Sequence, residues 1–455
     1  MSKIHKFEID GLKIMLDVNS GSIHVIDQLT WDFIDYYQET GSLGKAQERL
    51  VAASSCSAID GEGVADEVRQ LIEEGTLFSG DESGSEYVVP QDPIVKALCL
   101  HISHDCNLRC SYCFAGSGHF GGQREHMSLE VGKKAIDLLL ATSGPRQNCE
   151  VDFFGGEPLM NFDVVQELVA YGKEQARQLD KNIKFTLTTN GVLLNDKVEQ
   201  FLNENQMSVV LSLDGRPEVN DQMRPTVSGR GSYDIILKNY RRFCSSRNGE
   251  NYYLRGTYTS KNLDFSKDVL HMADEGFTSL SVEPVVAPPE EDYALKQEHM
   301  PKLREEYIKL AQEFYKRKEE GREINFFHFN LDLNRGPCLP KRLSGCGAGH
   351  EYLAVTPTGD LYPCHQFVGR EEYKLGTVSD GVTKKDLVKK FQNAHIYNKE
   401  ECTECWARFY CSGGCHANSL GDTGDIYKPY KVGCELAKMR IECAVYLQVK
   451  SALEG

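Results

Sequence analysis

Between residue 97 and about residue 320 the chain alternates short apolar, strand-like runs with amphipathic helical patterns. That alternation restricts the fold more than any other feature. The strand-like runs are 97–103, 151–154, 184–189, 208–214, 252–259 and 279–285. Between most of them apolar residues recur at helical spacing. Ser128 is placed to cap a helix over 129–141, and Asn161 one over 162–179. Parallel neighbours need a long crossover, usually a helix, so six such β/α units imply a parallel sheet. The expected class is α/β. Barrels of this kind place their sites at the C-terminal ends of the strands.

The flanks have a different character. Phe7, Ile9, Ile14, Leu16, Val18, Ile23 and Val25 form short, partly alternating runs broken at Asp10-Gly11 and Asn19-Ser20-Gly21. That pattern reads as two or three small strands. Helical patterns follow, in which Val64, Val68, Leu71 and Ile72 share a face and Gly75 is a stop. Strands plus short helices over residues 1–90 predict a small winged-helix-like domain, followed by a linker at 80–86. From 331 to 455 the chain carries short strands, many Gly and most of the remaining Cys, as expected of a metal-organised domain with a modest core. A regular helix is expected over 435–453, and the central domain spans 91–330.

Lys and Arg number 51 against 67 Asp and Glu, a net charge of −16, which argues against general nucleic-acid binding. Residues 1–90 alone hold 6 basic and 17 acidic residues, or −11. Phosphate binding needs basic residues, so a DNA-binding regulator is disfavoured even though winged helices serve that role. No apolar signal core opens the chain, and no apolar stretch approaches the ~20 residues of a membrane helix. The reading is a soluble cytoplasmic protein with no membrane partner. In that setting 16 Cys point to metal or catalysis rather than disulfides.

The cysteines cluster at ligand-like spacings. Cys106, Cys110 and Cys113 follow the first strand-like run, where a barrel site belongs. Four-iron clusters usually take four Cys ligands, so three closely spaced Cys without an obvious fourth leave one iron open. Zinc is the plainer alternative, but it wants four ligands and usually CxxC pairs. Gly155-Gly156-Glu157-Pro158 follows the second strand. Glycines let a backbone approach a ligand, and a carboxylate can bind an ammonium group. Thr188-Thr189-Asn190-Gly191 and Ser212-Leu213-Asp214-Gly215 end the next two strands, and Arg224 is suited to a carboxylate. A second field runs Cys402-x2-Cys405-x5-Cys411-x3-Cys415, then Cys434, preceded by Cys346 and by Gly359-x4-Cys364. Paired zinc ribbons are the alternative there, because CxxC alone does not separate zinc from iron. Cys56, Cys99, Cys149, Cys244 and Cys443 lack partner spacing and read as ordinary cysteines.

The CxxxCxxC triplet followed by Gly-Gly-Glu-Pro resembles the radical S-adenosylmethionine (radical SAM) enzymes, and the second field resembles their SPASM extension. The resemblance implies a partial (β/α)6 barrel. In it, the open iron on Cys106, Cys110 and Cys113 holds the amino and carboxylate groups of S-adenosylmethionine. Gly155, Gly156 and Glu157 resemble the amino-group motif, Tyr112 the aromatic position near the adenine, and Asn190, Ser212 and Arg224 ribose or carboxylate contacts. It further implies two auxiliary four-iron clusters, three [4Fe-4S] clusters in all. One is held fully by Cys402, Cys405, Cys411 and Cys434, the other by Cys346, Cys364 and Cys415. Cys338 either completes the latter or leaves its iron open for a substrate thiolate.

The three-domain layout resembles peptide-modifying maturases, closest to the thioether-forming maturases of SCIFF peptides (six Cys in forty-five residues). Implied partners are a Cys-rich precursor peptide, its leader bound by the N-terminal domain as an added strand, and a reductant such as flavodoxin or ferredoxin. The implied reaction begins with a 5′-deoxyadenosyl radical that removes hydrogen from a peptide carbon. A Cys sulfur then bonds to that carbon. Formylglycine formation in sulfatases and carbon–carbon cross-linking are the alternatives, with a zinc-ribbon winged-helix regulator a distant one.

Overall fold

A computed structural model describes residues 4–53, 56–81, 88–89, 94–331, 333 and 339–454. From residue 82 the expected linker lies outside the described residues, and so does Cys338.

The N-terminal segment forms three antiparallel strands in the order β1 (Ile4–Ile9), β2 (Leu12–Asp17) and β3 (Ile23–Val25). Asp10 and Gly11 both take positive φ, 55° and 77°, which a two-residue hairpin requires for its twist to match the strands. Three helices follow, Gln28–Thr40, Leu43–Ala53 and Ala58–Glu73. Asp27 caps the first, and Ser57 with Asp60 forms a capping box on the third. Their apolar faces close on Met15, Phe33, Ile34, Leu50 and Val68.

The central strands are β4 (Ala97–Ser103), β5 (Asn148–Gly155), β6 (Asn182–Thr189), β7 (Ser208–Ser212), β8 (Tyr252–Tyr258) and β9 (Ser279–Pro284). They lie side by side in chain order, all parallel. Ser128 caps the helix Leu129–Thr142 as expected, accepting from the Val131 amide. Asn161 does not cap Phe162–Gln178. Its Nδ2 instead donates to the carbonyls of Ile102 and Met127, tying that helix's start to the end of β4.

Side chains alternate across the sheet with period two. Leu98, Leu100 and Ile102 of β4 face the helix-covered core, and Cys99, His101 and Ser103 the other side. On β8, Tyr252, Leu254 and Tyr258 are buried, whereas Arg255 is exposed and Tyr253 and Thr257 are half-buried. The outer face is therefore apolar, and part of the inner face is polar and open.

The sheet does not stop at six strands. β10 (Asn325–Phe326) adds parallel to β9. β11 (Tyr352–Val355) adds parallel to β4 at the other edge. β12 (Asp360–Tyr362), β13 (Gly376–Thr377) and β14 (Gly381–Val382) continue as antiparallel neighbours. Tyr362, Phe367 and Phe391 share one apolar cluster with Cys99, Ala115 and Phe120 of the barrel. The last helix, Lys431–Glu454, packs on Met300–Glu319 and touches β1.

The N-terminal segment rests on the second Cys field. The His5 ring stacks on Trp406 at 3.7 Å and 5°. Arg408 Nη2 donates to Asn19 Oδ1 at 2.6 Å and to Asp81 Oδ2 at 2.9 Å. Among the described residues no helix is long and apolar enough to cross a membrane.

Candidate active site

β4 ends at Ser103, and the loop beyond it is held from several sides. The Cys106 amide donates to Asp105 Oδ1 at 2.8 Å, and Arg124 Nη1 reaches the same oxygen at 2.6 Å. The Arg109 and Ser111 amides donate to the carbonyls of Pro225 and Met223. This loop brings Cys106, Cys110 and Cys113 into one electrostatic neighbourhood. Burial pushes the Cys106 thiol up to about 12, with the nearby Glu157 charge adding to it. Burial likewise raises Cys110 to about 11, against the pull of Arg224. Both are thiols at neutral pH, so metal binding here must displace protons.

Gly155 and Gly156 were expected to let a ligand approach. Their close neighbours are protein backbone. A Cβ on Gly155 would stand 2.3 Å from the Ser103 carbonyl oxygen, and one on Gly156 2.2 Å from that of Asp105. Gly155 also has φ of +127°, which L side chains rarely adopt. The pair seats the end of β5 directly against the cysteine loop.

That seating aims Glu157 inward, fully buried. Its carboxylate accepts from the Leu159 amide at 3.0 Å, Thr189 Oγ1 at 2.8 Å and the Asn190 amide at 2.8 Å. Burial nevertheless dominates and raises its pKa to about 7. Its three hydrogen-bond donors are neutral, and the Arg224 charge bears on it without a hydrogen bond among the described residues, which leaves a buried carboxylate suited to an ammonium group. Asn190 Nδ2 lies 3.6 Å from Cys106 Sγ and donates to Asn107 Oδ1 at 2.7 Å, so this side chain sits against the cysteine loop.

Tyr112, Asp214 and Arg224 form one buried network. Tyr112 donates to Asp214 Oδ2 at 2.6 Å, Arg224 Nη1 donates to the Tyr112 oxygen at 3.1 Å, and Arg224 stands 3.9 Å from Asp214 Oδ1. Among the described residues the buried Arg224 Nε has no hydrogen-bond partner. An unpaired guanidinium N–H this deep fits a ligand that brings an acceptor. Ser212 is half-buried at the end of β7, and its carbonyl accepts from Tyr240.

The second field separates into two groups. The cysteines bearing on Cys434 are Cys411, Cys402 and Cys405, and those bearing on Cys364 are Cys415 and Cys346. Cys402, Cys405, Cys411 and Cys434 line a cavity of about 270 Å³ with Trp406 and Lys438. That space is many times the ~30 Å³ share of one water. Among the described residues no three or more His, Cys, Asp or Glu are set to hold a single metal ion. Thiolates around one zinc, at about 2.3 Å, converge tightly. A cubic cluster holds its thiolates farther apart, and the roomy four-thiol cavity suits it.

Sequence reasoning missed the residue that joins the two fields. His365 follows Cys364, and its ring lies 5.6 Å from that of Phe114, next to Cys113, and 4.9 Å from Phe154 of β5. Burial lowers its pKa to about 4, helped by Arg255 of β8. Its only sequence signal was adjacency to a field cysteine. The Arg255 charge also bears on Glu283, whose carboxyl His328 and Arg440 hold low despite burial.

The chain is similar to known proteins across both cysteine fields. The sequence model of the radical SAM superfamily matches residues 100–253, and that of the SPASM iron–sulfur cluster-binding domain matches 346–406. A cysteine-type anaerobic sulfatase-maturating enzyme of Clostridium novyi is 27% identical over 351 residues, covering 71% of this chain and 89% of its own. The radical SAM cyclopropyl synthase TigE of Paramaledivibacter caminithermalis is 22% identical over 444 residues, covering 90% and 88%. Among solved structures, anSMEcpe with bound AdoMet superposes with a TM-score of 0.66 at 21% identity, covering 80% of this chain and 96% of that one. Streptococcus suis SuiB bound to S-adenosylmethionine gives 0.54 at 18%, covering 94% and 98%. The chain thus combines a radical SAM domain, built on the parallel barrel, with a SPASM iron–sulfur domain that extends the same sheet.

Proposed function

We propose that this protein is a peptide maturase that joins a Cys sulfur to a carbon of a ribosomally made precursor peptide. The observation that carries the reading is the Phe114–His365 contact, which sets the residue after Cys113 against the residue after Cys364. A single peptide bound at this contact can then reach both iron–sulfur sites. Cys106, Cys110 and Cys113 would hold a four-iron cluster that, with S-adenosylmethionine, would supply one-electron radical chemistry, and the second cysteine field would hold auxiliary clusters able to accept an electron.

This chain's own residues do the positioning. Glu157, presented by the Gly155–Gly156 seat, takes the ammonium group of S-adenosylmethionine. Arg224, with one unpaired N–H, takes a carboxylate or ribose oxygen, and Asp214 with Tyr112 holds that guanidinium in place. His365, in ring contact with both Phe114 and Phe154, lies between the two sites. In the product one S–C bond replaces an S–H and a C–H bond, so the peptide loses two hydrogens per bridge. The leader seats on the N-terminal sheet: among the described residues β3 pairs only with β2, and Val25 is 47% exposed.

Known peptide complexes support the substrate class. SuiB has been solved with the precursor peptide SuiA, and anSMEcpe with the Cp18Cys peptide. Two other outcomes compete, formylglycine formation and carbon–carbon bonding, since the relatives include a sulfatase-maturating enzyme and a cyclopropyl synthase. Mass spectrometry of co-incubated precursor separates them. The thioether reading expects a loss of two hydrogens per bridge that survives thiol reduction. An unchanged precursor mass alongside S-adenosylmethionine cleavage would refute it, as would a cross-link that leaves every Cys alkylatable.

A further inference from the structure

Lys399 is fully buried, yet none of the ion pairs found among the described residues gives it a carboxylate. Its Nζ donates to the Gly413 carbonyl at 2.7 Å and lies 3.4 Å from His416 Nδ1. Gly413 sits at φ of +80° in the turn between Cys411 and Cys415, and a Cβ there would meet Lys399 Cδ and Nζ at 3.4 Å. The turn that separates the two auxiliary cysteine groups is thus wrapped around one ammonium group. The charges bearing on Lys399 are those of Cys402, Cys411 and Cys434 from one group and of Cys415 from the other. A buried ammonium without a carboxylate is costly unless another anion balances it. A four-iron cluster with thiolate ligands is such an anion.

We infer that Lys399 is the shared counter-cation of the two auxiliary clusters, holding both reduction potentials up and coupling one cluster's charge to the other. This rests on the assignment of two auxiliary clusters above. A fixed positive charge favours the more negative, reduced form of each. Its removal therefore makes both clusters harder to reduce. Lys438 offers the contrast. It is paired with Glu435 at 2.9 Å, and the cysteines bearing on it, Cys405 and Cys434, belong to one group alone.

The test uses full-length protein carrying Cys106→Ala, Cys110→Ala and Cys113→Ala, so that only auxiliary clusters remain. Iron content and potentiometric titration followed by electron paramagnetic resonance are read for this parent and for added Lys399→Met, Lys399→Arg or Lys438→Met. Lys399→Met is expected to lower both midpoint potentials by at least a tenfold change in the reduced-to-oxidised ratio, about 59 mV for one electron. Lys399→Arg keeps both near the parent, and Lys438→Met moves one only. If Lys399→Met fails to take up iron, retention of both clusters at parental potentials by Lys399→Arg still supports the charge role. Failure of Lys399→Arg as well would overturn it. So would a Lys399→Met protein with both potentials unmoved, or only one moved. A parent with iron for fewer than two clusters would overturn the cluster assignment itself, and the Lys399 role with it.

Discussion

Glu157→Gln tests the electrostatics of the site without any cofactor. In the metal-free chain the Glu157 carboxyl is fully buried, and burial lifts its pKa from 4.5 to about 7. Below pH 4.5 the carboxyl is protonated in both folded and unfolded chains. Between 4.5 and about 7 the folded chain keeps a proton that the unfolded chain has released. Stability from this group is therefore present at low pH and lost as pH rises through that window. Each pH unit costs about 1.4 kcal/mol, so the whole window costs on the order of 3 kcal/mol. Gln carries no charge and escapes this loss. Its extra N–H needs an acceptor, but that offset does not depend on pH. With an unfolding entropy of about 2 cal/mol/K per residue, a chain of 455 residues converts 3 kcal/mol into roughly 3 °C. Melting temperatures of both metal-free proteins from pH 5 to pH 8 give the answer. The variant should gain on the wild type by roughly 3 °C across that range. A constant difference, or a gain toward low pH, would refute the claim that desolvation outweighs the three hydrogen bonds. S-adenosylmethionine binding should move oppositely, weakening in the variant because the ammonium partner is gone.

Two further outcomes follow from the geometry. Gly156→Ala places a Cβ 2.2 Å from backbone, whereas Gly122→Ala meets nothing nearer than 3.6 Å. The first should cost about four irons per chain at the Cys106 triplet and leave the auxiliary sites loaded, and the second should change neither. Tyr112→Phe removes the hydroxyl that bridges Arg224 and Asp214. An Asp214 oxygen is then buried without that donor, at about 1–3 kcal/mol, seen as a melting point lower by a few degrees and as weaker S-adenosylmethionine binding in calorimetry.

Much of the frame was legible because it follows from short-range rules. All six expected central strands formed within three residues of their anticipated ends, since period-two apolar patterning and strand length are local properties. Ser128 capped its helix because an N-cap needs only its own three following residues. Asn161 has the same chemistry but lies within reach of the Ile102 and Met127 carbonyls, and those buried acceptors took its amide. Gly155 and Gly156 stand out in the sequence as a pair at a strand end, expected to let a ligand approach. What presses on them, the backbone of Ser103 and Asp105, belongs to another strand and is invisible in the motif.

The sequence by itself determined the β/α alternation, the cysteine spacings and the acidic balance that disfavours a nucleic-acid partner. Each is a matter of order or count along the chain. Only the tertiary structure decided that the C-terminal strands extend the barrel's own sheet through β11 and β4. It alone decided that His365 meets Phe114, that the Glu157 carboxyl is dry, and that Lys399 lies between two cysteine groups. The physical reason is common to all of these. Burial and approach between segments hundreds of residues apart arise from how the layers pack, and no spacing within one segment carries that information.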